Sequence, residues 1–98
     1  MIQHTVVFRL KHAKGSPEEA TFLKKAKALW KIPHVIDFKM MHQVGKKNEF
    51  TFGLSMYFTS ERTYQEYNDH PDHQHFVNTV WLPEVEDFLE IDYVELNV

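Results

Sequence analysis

Three observations predict an α+β fold in which one antiparallel sheet carries its helices on a single face. Apolar and polar side chains alternate with period two along residues 2–10, and the same period returns near 36–42, 50–59 and 88–96. Between the first and second of these runs, and again between the third and last, the period changes to that of a helix. Each helical stretch opens on residues that cap helix starts. The resulting order is β-α-β-β-α-β, the split unit of ferredoxin-like folds.

The first strand sets Ile2, His4, Val6, Phe8 and Leu10 on one face, against Gln3, Thr5, Val7, Arg9 and Lys11. Ser16-Pro17-Glu18-Glu19 then supplies an N-cap serine, a proline at the first helical position and a glutamate three residues after the cap. The apolar positions of this helix are Phe22, Leu23, Ala26, Leu29 and Trp30, and Pro33 disfavours helix at Ile32, so the helix is expected to end near Lys31. Ile36, Phe38, Met40 and His42 alternate in a second strand, and Phe50, Phe52, Leu54, Met56 and Phe58 in a third. Gly45 to Glu49 joins the two as a hairpin connection. Thr59 or Ser60 caps a second helix bearing Tyr64 and Tyr67, and Pro71 starts a further helical piece expected to reach Trp81 before Pro83 interrupts it. Phe88 to Leu96 forms the last strand.

With 98 residues, 43% hydrophobic and 14% aromatic, the chain makes one globular domain spanning residues 1–98. A domain of this size gains from pairing with a second copy. The sheet face turned away from the helices supplies a reason, because Val7, Tyr57, Leu89, Ile91 and Tyr93 lie on it and form an apolar patch. A face-to-face homodimer would cover that patch. The net charge of −3 offers no basic field for nucleic acid, and no segment suits a membrane span. Met1 to His4 leads directly into a strand without the pattern of a signal peptide, so the chain is expected to be cytoplasmic. Cysteine is absent, which leaves chemistry to His, Tyr and carboxylates.

Those residues concentrate in Tyr67-Asn68-Asp69-His70-Pro71-Asp72-His73. On a helix starting at Pro71, His73 shares a face with Phe76, Val77 and Val80, while His75 points outward. His73 is then either a core histidine bonded to a backbone carbonyl or an acid/base group, and Tyr67 either packs its ring or donates from its phenol. His4 is the polar member of an apolar strand face. If Asp92 takes the corresponding face of the last strand, the antiparallel pairing of first and last strands brings the two together, as a structural bond or as an orienting pair. Seven histidines invite a metal reading of His70-x2-His73-x-His75, but divergence of His73 and His75 argues for no metal. Lys24, Lys25, Lys27 and Lys31 form a solvated helix face, and neither a phosphate-binding loop nor a nucleophile elbow is present.

The opening His4-Thr5-Val6-Val7-Phe8-Arg9-Leu10-Lys11, the Tyr67-x2-His70-Pro71-x-His73 run with Phe76 beyond it, and the closing Ile91-Asp92-Tyr93 resemble the stress-responsive dimeric α/β-barrel (Dabb) family over nearly the whole chain. The resemblance implies a homodimer whose two sheets form a barrel. One plant member closes a linear polyketide by aldol condensation, and similarity to it implies catalytic roles for Tyr67 and His73, assisted by His4 and Asp92, with no metal or organic cofactor. A small apolar or carbonyl-containing ligand would sit between helices and sheet, against Val6, Phe8, Phe22 and Phe76. The readings that follow are a cofactor-free lyase or cyclase, a non-catalytic ligand-binding or stress-tolerance protein, and, ranked below these, a monooxygenase-like enzyme on the related fold.

Overall fold

The computed structural model describes all residues from Met1 to Val98. Strands β1 (Ile2–Leu10), β2 (Ile36–His42), β3 (Phe52–Phe58) and β4 (Val85–Val94) form one sheet in the order β2-β3-β1-β4, every neighbouring pair antiparallel. Helices α1 (Pro17–Lys27), α2 (Glu61–Asp69), α3 (Pro71–Phe76) and the short α4 (Leu82–Glu84) complete the α+β arrangement. Burial alternates along β1 as expected: His4, Val6, Phe8 and Leu10 are buried and face the helices.

The helix starts are built by the residues that signalled them. Ser16 Oγ accepts the Glu19 N–H at 3.2 Å, and Pro17 occupies the first turn, where no amide partner is lost. At α2, the Ser60 hydroxyl accepts from Thr63 N while the Thr63 hydroxyl accepts from Ser60 N, each at 3.2 Å, a reciprocal cap. His70 caps α3, its Nδ1 accepting the Asp72 N–H at 3.1 Å.

Four expectations need correction. The α-helical part of α1 stops at Lys27 and a 3-10 turn continues to Lys31. That tighter winding leaves Leu29 buried but turns Trp30 outward to 53% exposure. In β2, Asp37 adopts a φ of 50° and the pairing slips between Ile36 and Lys39. The extra residue reverses side-chain direction, so Ile36 lies opposite Tyr57 on the outer face, away from Met40. β3 begins at Phe52, because the Gln43 side chain organises the preceding loop through Phe50 O at 2.7 Å and Asn48 Oδ1 at 2.8 Å. Finally, Pro83 does not interrupt the last helical segment. α3 passes into a π-helical turn, Val77–Trp81, and then into α4, where Pro83 sits in the first turn; β4 therefore starts at Val85 and ends at Val94.

The core lies between the helices and the inner sheet face. Phe8 and Phe22, both fully buried, meet at 5.7 Å between ring centroids, and Trp81 closes on Phe8 at 4.9 Å. On the other face, the register sets Val7 opposite Leu89, Thr5 opposite Ile91 and Gln3 opposite both Tyr57 and Tyr93. Leu89, Ile91 and Tyr93 are exposed there, as expected for an uncovered face.

Candidate functional site

Toward the His4 end of β1 the helix layer and the sheet do not close fully. A cavity of about 200 Å³ opens there, walled by His4 and Val6 of β1, Tyr67 of α2, His73 and Phe76 of α3, and Glu90 of β4. Trp81 and Phe88 also reach it, Trp81 from the π-helical turn. A larger groove of about 530 Å³ runs along Lys27, Trp30 and β2, but no imidazole or phenol lines it. The smaller cavity is the one that brings a phenol and two imidazoles together.

Tyr67 is 2% exposed, its ring 5.0 Å from Phe58 and 4.4 Å from the imidazole of His73. Its hydroxyl makes no hydrogen bond within the chain, yet is not sealed from solvent, and the cavity is the space it opens into. Burial, assisted by the negative charge of Glu90, pushes the phenol well above its ordinary value. Tyr67 is therefore a protonated donor with no acceptor of its own.

His73 Nδ1 lies 3.0 Å from the backbone oxygen of Asn68. A carbonyl can only accept, so Nδ1 carries the hydrogen and Nε2 holds the free lone pair. Burial lowers the pKa of this imidazole, the Asn68 bond opposing it. The neutral, basic form is thus favoured at neutral pH.

His4 is 7% exposed and faces Asp92 across the β1–β4 ladder, its Nδ1 2.7 Å from Asp92 Oδ1. Asp92 does take the inner direction, and the expected pair forms. Tyr64 joins it: its hydroxyl donates to Asp92 Oδ2 at 2.9 Å and lies 2.7 Å from His4 Nδ1. Burial, then the bond to Asp92, raises the Tyr64 phenol above its ordinary range. Both contacts made by His4 engage Nδ1, which leaves its Nε2 as the unpaired ring nitrogen. Asp92 stands behind His4, outside the cavity wall.

The structure also separates the expected ligand-contact residues. Val6 and Phe76 line the cavity; Phe8 and Phe22 do not, because tilted ring packing against each other and against Trp81 takes both into the solid core. His70 caps α3 and His75 is exposed, so neither reaches the cavity. No three His, Asp or Glu side chains converge in a metal-ligating arrangement. Two polar residues of the site are not singled out by the sequence reading, Tyr64 and Glu90, nor are apolar wall residues such as Trp81 and Phe88. Tyr64 stands one helical turn before Tyr67, and Glu90 shares the alternation of Asp92; both spacings carried the signal.

A family model described as the stress responsive A/B barrel domain, Dabb, matches residues 2–95. The chain belongs to this family. A Dabb family protein with a ferredoxin-like fold from Mesorhizobium loti is 52% identical, with 98% of this chain and 97% of that one aligned at a TM-score of 0.97. The Arabidopsis thaliana protein At3g17210 is 26% identical over 100% of this chain and 98% of its own, TM-score 0.83. Two more distant structures share the Dabb chain's fold. One is the hydroxynitrile lyase of Passiflora edulis, at 17% identity, 99% and 94% coverage and TM-score 0.85. The other is a dimeric ferredoxin-like protein of unknown function from Thermobifida fusca, at 20% identity, 96% and 90% coverage and TM-score 0.76. A comparison with curated protein sequences gives no significant match. No helix of this Dabb chain is long and apolar enough to cross a membrane.

Proposed function

We propose that this Dabb domain is a homodimeric, cofactor-free proton-transfer enzyme, a lyase or cyclase acting on a small carbonyl compound in the His4–Tyr67–His73 cavity. One observation carries the reading: a neutral imidazole with a fixed tautomer and a partnerless phenol stand 4.4 Å apart, ring to ring, on the same cavity. His73 Nε2 removes a proton alpha to the substrate carbonyl. The Tyr67 O–H donates to the enolate oxygen that develops as the proton leaves, and its raised pKa keeps that hydrogen in place. The proton taken up by His73 is given back from the same Nε2 as product forms, while His4, held through Nδ1 by Asp92 and Tyr64, presents its free Nε2 to the cavity as a second hydrogen-bonding group. That a hydroxynitrile lyase occupies the same fold is compatible with such chemistry but assigns no substrate. Homodimerisation is supported by the exposed apolar outer face and by dimeric relatives of the same fold.

A thermal-shift screen of small carbonyl compounds identifies ligands, since a molecule that binds only the folded state raises the melting temperature. For a compound that is converted, His73→Ala should lower turnover by about 10²- to 10⁴-fold and Tyr67→Phe by about 10²- to 10³-fold. Wild-type rates in both variants would remove the catalytic assignment. Binding without turnover in the wild type would leave a ligand-binding domain.

A further inference from the structure

Glu90 is the one carboxylate on the cavity wall, and nothing within the chain answers it. The other carboxylates of β4 are all engaged. Glu86 approaches Arg9 Nε at 3.6 Å, Asp87 accepts the Phe88 N–H at 2.9 Å, and Asp92 binds His4 and Tyr64. Glu90 makes neither a hydrogen bond nor an ion pair, although the register sets it opposite Val6 on the inner face, beside apolar cavity residues. A charge in such a place is disfavoured unless something pairs with it. The side chain lies at the exposed rim, where solvent supports the charge until a ligand arrives.

The other ionisable groups on the wall do not offset this charge. Tyr67 is held as the neutral phenol and His73 toward the neutral imidazole, while His4 already faces the carboxylate of Asp92. Neither lysine nor arginine lines the cavity. The mouth thus carries negative charge and the interior apolar surface and neutral hydrogen-bonding groups.

We propose that Glu90 determines substrate specificity: the cavity takes a small apolar compound bearing an ammonium group at the Glu90 end, and rejects carboxylates and phosphates. The apolar body fits against Val6, Phe76 and Trp81, and the cationic end pairs with the Glu90 carboxylate at the rim. This rests on the reading of the cavity as a small-molecule site and narrows its substrate class.

Three probes of one size test it: benzylamine, benzyl alcohol and benzoate, titrated into the intact protein with the ring resonances of His73 and Tyr67 observed by NMR. Wild type should bind benzylamine about three- to tenfold more tightly than benzyl alcohol, the range expected for one charge pair at a solvated rim, and benzoate most weakly. Glu90→Gln should erase the preference, and Glu90→Lys should reverse it in favour of benzoate. Glu90 is exposed, so both variants should melt within a few degrees of wild type. Equal binding of the three probes by wild type, or an undiminished preference in Glu90→Gln, overturns the proposal while leaving the cavity as a binding site. If no probe moves the His73 or Tyr67 resonances, the cavity reading and the Glu90 proposal fail together.

Discussion

The inner face of β1 runs through two different environments in a few residues. At Phe8 the space between sheet and helices is filled by rings without hydrogen-bonding groups or, in Trp81, with one: Phe22 stands 5.7 Å away, Phe52 5.7 Å and Trp81 4.9 Å. At His4 the neighbouring ring is equally close, Tyr64 at 5.0 Å, but both rings carry polar atoms, as do Tyr67 and His73 beside them. Those atoms need partners or access to water, so the rings cannot interlock as hydrocarbons do. His4 and Tyr64 find Asp92; Tyr67 and the Nε2 of His73 are left facing a cavity. One end of the sheet is therefore closed by ring packing, and the other leaves a cavity between polar rings.

The sharpest break of this contrast is Phe8→Ala. Removing a fully buried ring from the solid end should cost about 3–5 kcal/mol, read as a loss in denaturant midpoint at constant slope. A cost below about 1 kcal/mol would mean that the Phe8 end is as loosely filled as the cavity end. Asp92→Asn probes the boundary between them. The amide retains the shape of the carboxylate but not its charge, so bonds from His4 and Tyr64 weaken, and the partly exposed position limits the loss to about 1 kcal/mol. The expected signature is a modest fall in melting temperature together with shifted NMR resonances of the His4 and Tyr64 rings, which lose a charged partner.

Proton linkage gives a smaller effect with a definite sign. Burial lowers the pKa of His73 below its ordinary 6.5, so as pH falls below about 6.5 the unfolded chain takes up a proton that the native chain refuses. Stability from this group is present above that value and declines as pH falls toward the native pKa. Replacing His73 by Asn should flatten the stability profile in this window. A wild-type profile that rises as the solution is acidified from pH 6.5, with the Asn variant lacking the rise, would contradict the assigned environment.

Much of this arrangement was readable from residue order. Period-two alternation located His4 beside Val6 and Phe8, and Pro71 fixed the helical phase that turns His73 inward and His75 outward. The pairing of His4 with Asp92 followed from strand topology once the face of Asp92 was known. Other features depended on distant packing. Phe8 and Phe22 have the same apolar character as true cavity residues, and only the position of Trp81, set by a π-helical turn, decides that they are sealed. The bulge at Asp37 reverses Ile36 without a glycine to mark it. Glu90 escaped notice because a strand glutamate is ordinarily solvated, although its even spacing from Asp92 and Phe88 placed it inward.

The smallest expected change in stability is also the most discriminating, Tyr67→Phe. In a tightly packed core, a buried tyrosine hydroxyl has a partner, and its removal costs about 1 kcal/mol or more. The Tyr67 hydroxyl has none within the chain, while its ring remains packed on Phe58 and His73. Phenylalanine preserves those ring contacts and abandons no bonded acceptor, so global stability should stay within about 0.5 kcal/mol of wild type. Equilibrium denaturation measures this directly. A loss of 1 kcal/mol or more would show that the hydroxyl is a structural bond, and the cavity end would then resemble the Phe8 end in function as well as in close ring packing. An unchanged stability, combined with weaker binding of a carbonyl ligand, would identify an oxygen held in place by its ring alone and free to donate to whatever enters.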